Sequence, residues 1–83
     1  AEWMAERLEA LLDHMQYGHA AVAYRKQNGD FRLAKATLLY YEAEFHRKYD
    51  PAEVEGAVVY WNVDEQRWTT FQMENFMEWR PIV

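Results

Sequence analysis

One set of side chains combines cationic groups, which contact phosphates, with aromatic rings, which stack on bases or fill protein interfaces. The set is Arg25, Lys26, Arg32, Tyr60, Arg67, Trp68 and Gln72. Guanidinium and ammonium groups form charge-assisted hydrogen bonds with phosphate oxygens, and bases of any sequence can stack on aromatic rings. Aromatic residues are also enriched at the centre of protein interfaces. The set therefore predicts a surface that binds a ligand or a partner, with Tyr60, Trp68 and Gln72 in an exposed row.

The strongest turn signal in the chain lies among these cations. Asn28-Gly29 stands between two runs that contain apolar residues, and this pair favours a two-residue type I′ turn between antiparallel strands. The predicted strands are 21–27 and 30–39. The predicted register pairs residue 24 with residue 33, so that one face carries Val22, Tyr24, Phe31 and Leu33.

The same register places Arg25 directly opposite Arg32. Like charges in an opposed pair are destabilising unless a negative group lies between them. An Asp or Glu of the chain is one source of that group, and the fourteen acidic residues favour it. A bound anion is the other source.

A second hairpin is predicted by alternation of side chains with a period of two. Its strands are 57–63 and 67–73, joined by a polar turn at residues 64–66. The two faces of the first strand carry Val58, Tyr60 and Asn62 on one side and Ala57, Val59, Trp61 and Val63 on the other. A final strand, 76–80, closes the sheet, and Pro81 ends it at an edge.

The stretch between the hairpins allows two interpretations. Phe31, Ala34, Leu38, Tyr41 and Phe45 also follow helical spacing. We prefer a strand up to about residue 39, followed by an irregular or briefly helical segment over 40–55. The reason is that Asn-Gly is a specific turn signal, whereas helix propensity is a weak one.

Residues 2–17 predict an amphipathic helix. Apolar residues at helical spacing form one stripe, and charged residues occupy the opposite face. The stripe is Trp3, Met4, Leu8, Leu11, Leu12 and Met15. Gly18 follows the last periodic residue, where a glycine often caps a helix in the left-handed conformation.

This stripe could pack on the domain's own sheet or contact a second copy of the chain. A small chain with fourteen aromatic residues carries more apolar surface than one core readily buries, which predicts a homodimer. The preferred dimer interface is Trp3, Met4, Leu8, Leu11 and Met15. The competing interface is segment 40–55, where Tyr41 and Phe45 lie one turn apart if the segment is helical.

Composition limits the class of protein. The 83 residues predict a single domain, 1–83, with a core rich in aromatic side chains. A net charge of −5 argues against a protein that holds nucleic acid mainly through its phosphates, although a local basic patch is compatible with it. The chain has no cysteine and therefore no disulfide or thiolate metal site. No apolar run approaches the roughly 18 residues of a membrane span, so we expect a cytoplasmic protein without membrane contact.

The sequence predicts neither catalysis nor a bound metal or cofactor. His14 and His19 are five residues apart and His46 is distant, a spacing that matches no recognised zinc pattern. No phosphate loop, nucleophile elbow or dinucleotide turn is present, and turns or a cap account for the three glycines. We therefore expect a protein that is not an enzyme and has no catalytic residues.

Residues 22–41 and 57–79 resemble the SH3-like β-barrel proteins of unknown function from gut bacteria and their phages. More distantly, the stretch 21–79 is similar to the Sm-like core of WYL domains. The resemblance implies an α+β fold, with a small SH3-like or Sm-like antiparallel β-barrel of about five strands over residues 20–83. An N-terminal amphipathic helix, 1–18, precedes the barrel, and an insertion interrupts it at about 40–55.

WYL domains have a closing segment, Arg-Thr-Phe-Arg-Leu-Asp-Arg-Ile, whose arginines help to recognise nucleotides or single-stranded nucleic acid. The matching residues here, 69–76, read Thr-Thr-Phe-Gln-Met-Glu-Asn-Phe. The apolar positions persist and every arginine is replaced. The signature Trp-Tyr-Leu is present only as Val59-Tyr60-Trp61.

The leading functional hypothesis is a small non-enzymatic binding module that acts through contacts with a protein partner, as a phage-encoded accessory or anti-defence protein. The alternative is a binder of single-stranded nucleic acid or a nucleotide. In that case Tyr60 and Trp68 would stack on bases, and the four cations of the first set would contact phosphates. A small-molecule enzyme ranks last.

Overall fold

A computed structural model of the chain describes residues 2–50 and 56–82, with side chains from residue 6 onward. The elements are α1 (Glu2–Met15), β1 (His19–Arg25), β2 (Phe31–Thr37), α2 (Tyr41–Phe45), β3 (Ala57–Asn62), β4 (Arg67–Gln72), a 3-10 turn (Met73–Asn75) and β5 (Phe76–Ile82). The strands form one antiparallel sheet in the order β4-β3-β2-β1-β5. The α+β fold with five strands and an N-terminal helix is confirmed.

Helix α1 covers one side of the sheet with its apolar stripe. Leu8, Leu11 and Met15 are buried in the core with Leu12, while Glu9 and other charged residues face outward. The indole Nε1 of Trp79 on β5 donates to the carbonyl of Arg7 at 3.0 Å. The described apolar residues of the helix are therefore buried within the chain.

The helix ends in a different way from the prediction. Its last residue is Met15, and Gly18 is not in the left-handed region, so the prediction of a left-handed glycine cap was wrong. The backbone N–H of Leu38 instead donates to the Met15 carbonyl at 2.9 Å, and the Thr37 hydroxyl donates to the Gly18 carbonyl at 2.8 Å. The end of β2 thus satisfies the Met15 carbonyl, which the helix terminus leaves unpaired, and the Gly18 carbonyl in the segment that follows.

The sheet curls around a core of stacked and tilted rings but does not close. The ring centroid of Phe71 on β4 lies 4.8 Å from that of Tyr24 on β1 and 6.2 Å from that of Phe76 on β5. Within the described residues, β4 and β5 are edge strands without a ladder between them. Side chains therefore fill the seam where a closed barrel would have backbone hydrogen bonds.

The first hairpin has its strands nearly where predicted, but its register is shifted by one residue. The loop contains three residues, 27–29, with Gly29 at a φ of +93° and its N–H donating to the Lys26 carbonyl at 2.9 Å. This arrangement fits a type I turn followed by a left-handed residue, rather than the predicted type I′ turn. Tyr24 consequently pairs with Arg32, and Arg25 pairs with Phe31.

A one-residue shift moves side chains to the opposite face. Val22 and Tyr24 face the core, where Val22 is paired with Ala34 and Tyr24 with Arg32. Phe31 and Leu33 are 59% and 65% exposed, so the prediction that they share a face with Val22 and Tyr24 was wrong. The predicted opposition of Arg25 and Arg32 was wrong for the same reason.

The second hairpin follows the predicted alternation. Val58, Tyr60 and Asn62 of β3 are buried, and Trp61 pairs with Trp68 of β4 on the outer face. The last strand pairs with β1 and is an edge strand that contains Pro81 near its end. A ladder of only two pairs, Ala36 with Asn62 and Thr37 with Trp61, joins β2 to β3.

The segment between β2 and β3 contains a short helix, as we preferred. Strand β2 ends at Thr37, and α2 ends where His46 adopts the left-handed conformation at a φ of 58°. Residues 51–55 of the predicted segment 40–55 lie outside the described residues. The continuous helix through residues 31–45 is not formed, because 31–37 is a strand.

Candidate functional site

A cleft opens at the end of the inner face of the sheet, where the β1–β2 hairpin and β4 diverge. Its volume is about 370 Å³. Arg67, Thr69 and Phe71 alternate along β4 toward it, and Tyr24 and Arg32 approach from the first hairpin. The remaining lining residues are Arg25, Lys26, Gln27, Thr70, Gln72 and Asn75.

The cleft is basic although the protein is acidic. Four of the nine Lys and Arg residues line it, namely Arg25, Lys26, Arg32 and Arg67. No acidic side chain is among its described lining residues. A concave surface lined by one sign of charge concentrates the local field, although the whole protein carries a net charge of −5.

Glu65 links two of these arginines beside the cleft. The Nε and Nη2 atoms of Arg67 each lie 2.7 Å from Glu65 Oε1. Arg32 Nη2 donates to Glu65 Oε2. The hydrogen bonds from Arg32 and then Arg67 lower the pKa of Glu65, and the hydrogen bond to Glu65 raises the pKa of Arg32. An internal carboxylate therefore supplies the negative group that was predicted as one alternative for Arg32.

The β3–β4 turn places this carboxylate. Asn62 is buried, and its Oδ1 accepts a hydrogen bond from the Glu65 N–H at 2.9 Å. The Gln66 N–H donates to the Asn62 carbonyl at 2.7 Å, with Gln66 in the left-handed region at a φ of 54°. A side-chain hydrogen bond of this kind fixes a turn locally, so the backbone of Glu65 is held independently of its side chain.

The other two cations have no such partner. Arg25 Nη1 donates to the Gly29 carbonyl at 2.9 Å, and both Arg25 and Lys26 are exposed. Neither forms an ion pair within the part of the chain that the structure describes. They are available to an anion that enters the cleft.

A buried hydroxyl in the cleft wall also lacks a partner. Thr69 Oγ1 has almost no contact with solvent and no hydrogen bond to any described residue. Buried polar groups are normally paired, because an unpaired one loses its hydrogen bonds to water. Thr69 Oγ1 is therefore a buried, unsatisfied group behind the surface of the cleft.

The cleft has an aromatic floor. The hydroxyl oxygens of Tyr24 and Tyr60 lie 2.8 Å apart, and the Tyr24 ring stacks on Phe71. Burial first, and then the hydrogen bond with Tyr24, raises the pKa of Tyr60. All three rings are buried, so they support the cleft and leave no face on which a base could stack.

Residues 8–77 match the model of the WYL_2 family, which is described as an Sm-like SH3 β-barrel fold. The chain belongs to the WYL_2 family. The match covers most of the chain and confirms the resemblance to the Sm-like core. No curated protein and no solved structure matches the chain. With this fold, the WYL_2 chain is a small binding module.

The WYL_2 structure brings together five of the seven residues predicted to bind a ligand or partner. They are Arg25, Lys26, Arg32, Arg67 and Gln72, all in the cleft. Tyr60 is 0% exposed and lies beneath the cleft, so its predicted place in an exposed row was wrong. Trp68 is on the opposite face of the hairpin, because β3 and β4 alternate their side chains and Tyr60 pairs with Thr69.

Trp68 belongs instead to an outer aromatic groove of the WYL_2 chain, with a volume of about 400 Å³. Its ring lies 5.4 Å from that of Trp61 and 5.0 Å from that of Phe45, and the Tyr40 ring lies 5.8 Å from that of Trp61. Tyr40 is 50% exposed and Phe45 is 41% exposed. The groove is lined by Tyr40, Glu44, Trp61, Val63, Gln66 and Trp68.

The predicted dimer interface is largely unavailable in the WYL_2 chain. Leu8, Leu11 and Met15 are buried against the sheet, so they offer little surface to a second copy. The side chains of Trp3 and Met4 lie outside the described residues. Tyr41 and Phe45 do lie one helical turn apart, with ring centroids 4.7 Å apart.

The described residues contain no group of three or more His, Cys, Asp or Glu side chains placed to hold a metal ion. The Nε2 atom of His14 lies 2.8 Å from the His19 carbonyl oxygen.

None of the described helices has the length and apolar character needed to cross a membrane.

Proposed function

We propose that this WYL_2 chain is a non-enzymatic binding module whose basic cleft holds the phosphate of a nucleotide or of single-stranded nucleic acid. The observation that carries the proposal is the set of four cations in one cleft without a lining carboxylate among the described residues. The protein-contact hypothesis was based in part on an exposed row of Tyr60, Trp68 and Gln72, and the two faces of the hairpin separate Tyr60 from Trp68 and Gln72. Binding of a nucleotide or single strand is therefore proposed ahead of contact with a protein partner.

The cleft favours a ligand recognised through its phosphate. Its volume of about 370 Å³ is near the lower end of the range of small-molecule sites, which is about 300–1,000 Å³. Arg25 and Lys26 provide exposed charges. The rings of Tyr24 and Phe71 are buried, so stacking contributes little. This differs from small barrels that hold single strands on aromatic platforms.

Salt-dependent binding tests the proposal. The probe is a short mixed-sequence oligonucleotide with a 5′-phosphate and a 3′-fluorophore, measured by anisotropy. Three or four phosphate contacts predict that affinity falls about 20- to 50-fold between about 50 and 200 mM salt, since each contact to a single strand contributes a slope of about −0.7. We expect binding at micromolar concentration or tighter. Absence of binding, or binding that is insensitive to salt, would contradict the proposal.

Contact with a protein partner is the second candidate function, favoured by the outer aromatic groove. Tyr40, Trp61 and Trp68 form a contiguous aromatic surface, and exposed patches of this kind occur at interaction sites. The homodimer stays a proposal, with its contact at Tyr40 and Phe45 in place of the buried helix stripe. The proposal of a phage-encoded accessory or anti-defence protein, acting in the cytoplasm, rests on the sequence resemblance and is tested by the neighbouring genes.

A further inference from the structure

We propose that the outer aromatic groove is a cage for a quaternary ammonium group, and that its occupant is a trimethylated lysine side chain of a partner protein. The inference deepens the second candidate function, contact with a protein partner. It does not depend on the phosphate cleft, which lies on the other face of the hairpin. The residues that recognise the ligand are Tyr40, Glu44, Trp61 and Trp68.

Three aromatic rings line the groove at steep angles to one another. The Tyr40 ring meets the Trp61 ring at 73°, and the Trp61 ring meets the Trp68 ring at 70°. Tyr40 is exposed and both tryptophans are only partly buried, so ring surface is open to a ligand. Edge-to-face contacts of this kind form corners, and a cation within about 6 Å of a ring centroid is attracted by the ring face. A cation in such a corner is therefore close to two rings at once.

The angles between the rings favour a tetrahedral cation over a planar one. A guanidinium group is planar and stacks on a single ring. A trimethylammonium group presents methyl groups in several directions, so it contacts walls that stand at steep angles. An unmodified ammonium is compact and strongly hydrated, and a lining that is mostly aromatic does not replace its water. Methylation keeps the positive charge and gives the group an apolar surface.

The charge of the groove also favours a cation. Glu44 is the one charged side chain among the described lining residues. It is exposed and forms no ion pair within the part of the chain that the structure describes. An apolar side chain would cover this carboxylate without pairing with it, whereas a cation would pair with it. A second copy that placed its own groove here would bring another Glu44 and no lining cation.

The rings are held in place before any ligand binds. The centroid of the Trp68 ring lies 5.0 Å from that of Phe45 and 6.1 Å from that of Tyr41, which is buried. Trp61 and Trp68 are also direct partners in the ladder between β3 and β4. A site whose side chains are already ordered loses less conformational entropy on binding.

The open shape of the groove favours a side chain over a small free ion. Its volume is about 400 Å³, and Tyr40 on its rim is 50% exposed. Sites for free small molecules bury about 70–90% of the ligand surface, which a groove open on one side does not achieve. A lysine side chain arrives with its own backbone, and that backbone covers the open side.

The test is a titration of the full chain followed by the NMR signals of its tryptophan indoles. The probes are short glycine peptides, blocked at both ends, that differ only in the central residue. That residue is trimethyllysine, lysine, or a neutral analogue with carbon in place of the ammonium nitrogen. We expect the trimethyllysine peptide to bind about tenfold tighter than either of the others, which is the size of a partly desolvated cation–π contact. Tetramethylammonium should bind more weakly than this peptide.

Substitutions assign the effect to the groove. Tyr40→Leu removes one ring and keeps an apolar side chain, so it should weaken binding of the trimethyllysine peptide about fivefold and leave the neutral analogue unchanged. Tyr40→Phe should retain the wild-type affinity. Glu44→Gln should weaken binding of this peptide about twofold, as expected for an exposed ion pair. Glu42→Gln is the matched control, because Glu42 is an exposed acid of α2 that is not among the described lining residues.

Comparisons in the wild type can overturn the inference even if a variant fails to fold. A neutral analogue that binds as tightly as trimethyllysine would refute the cage, and so would the absence of binding by any peptide. Equal binding of unmodified lysine would refute the selection for methylation. Tetramethylammonium that binds as tightly as the peptide would refute a protein source. The oligonucleotide titration of the proposed function uses none of these residues, so failure of the cage leaves the phosphate cleft standing.

Discussion

The hydroxyl oxygens of Tyr24 and Tyr60 lie 2.8 Å apart beneath the basic cleft, and this contact joins β1 to β3 across the core. Both rings are buried and both contact Phe71. Buried hydroxyls are stable when they pair with each other, because neither then gives up hydrogen bonds to water without replacement. The cleft therefore rests on a polar pair inside an apolar core.

The losses of stability from removing each hydroxyl of this pair alone should add up to more than the loss from removing both. We expect Tyr60→Phe to lower the free energy of unfolding by about 1–3 kcal/mol, because the buried Tyr24 hydroxyl loses its partner. Tyr24→Phe should act similarly, and the double variant should be more stable than the sum of the single losses predicts by about 1 kcal/mol. Urea unfolding of the four proteins measures the cycle. Additive losses would show that the two hydroxyls are not coupled.

Tyrosine burial also predicts a loss of stability at alkaline pH. Burial raises the pKa of Tyr60 above its ordinary value of 10.0, and it raises that of Tyr49 to about 12. A group whose pKa is raised by folding stabilises the fold fully below its unfolded value and loses this effect as the pH rises through the folded value.

The free energy of unfolding should therefore fall as the pH increases beyond 10.0. The decline should be shallower in Tyr60→Phe, which keeps the ring and removes the titrating hydroxyl. Urea unfolding at a series of alkaline pH values checks this. An equal slope in the wild type and in Tyr60→Phe would rule out Tyr60 as a source of the decline.

Loss of cleft cations should change the salt dependence of binding as well as the affinity. The double variant Arg25→Ala and Lys26→Ala removes the two cations that lack a carboxylate partner among the described residues. We expect the slope of log K against log salt to become shallower by about 1.4, from about 0.7 for each lost phosphate contact. Arg80→Ala is the control, since Arg80 is an exposed cation on β5 outside the cleft. If the double variant keeps the wild-type slope of log K against log salt, the phosphate binds elsewhere.

The conformation of Gly29 predicts a backbone effect at the first hairpin. Gly29→Ala should lower the free energy of unfolding by about 1–2 kcal/mol, because a Cβ at a φ of +93° is strained even though no atom lies within 4 Å of it. Gly18→Ala is the matched control, since its added Cβ would meet the His14 ring at an ordinary 3.6 Å. Thermal unfolding distinguishes the two variants. Equal melting temperatures would argue against the left-handed residue in this loop.

Assembly tests the outer aromatic groove. If the homodimer forms through this surface, sedimentation equilibrium at tens of micromolar should give the mass of two chains for the wild type. The double variant Tyr40→Ser and Phe45→Ser should give the mass of a single chain. Phe31→Ser is a control, because Phe31 is also an exposed aromatic residue but lies on β2 away from α2. A single-chain mass for the wild type at all concentrations would refute the dimer. A dimer that persists after both substitutions would show that the interface lies elsewhere on the chain.

The strands could be predicted because their signals are local. Alternation over 57–63 and 67–73 gave the second hairpin, and the core residues Val58 and Tyr60 do lie on one face of β3. The first hairpin shows the limit of such signals. Asn28-Gly29 supports both a two-residue loop and a three-residue loop with a left-handed glycine, and the choice shifts every side chain by one position.

The site was partly predictable for the same reason. The cations could be identified from residue type alone, and Thr69 could have been found because it alternates with the buried Phe71 on β4. The role of Glu65 left no signal, since it is 33 residues from Arg32 along the chain and the Arg32 contact depends on how β2 and the second hairpin diverge. Tyr60 was misplaced because its exposure depends on which face of β3 meets the core.

The sequence by itself determined that this chain has an N-terminal amphipathic helix, antiparallel hairpins and no cysteine chemistry, because periodicity and composition are properties of short stretches. The tertiary structure decided that four cations of an acidic protein meet in one cleft and that Tyr60 lies beneath them. It also decided that Glu65 joins Arg32 to Arg67. These contacts depend on register and on the curl of the sheet, which long-range packing sets and local residue patterns do not encode.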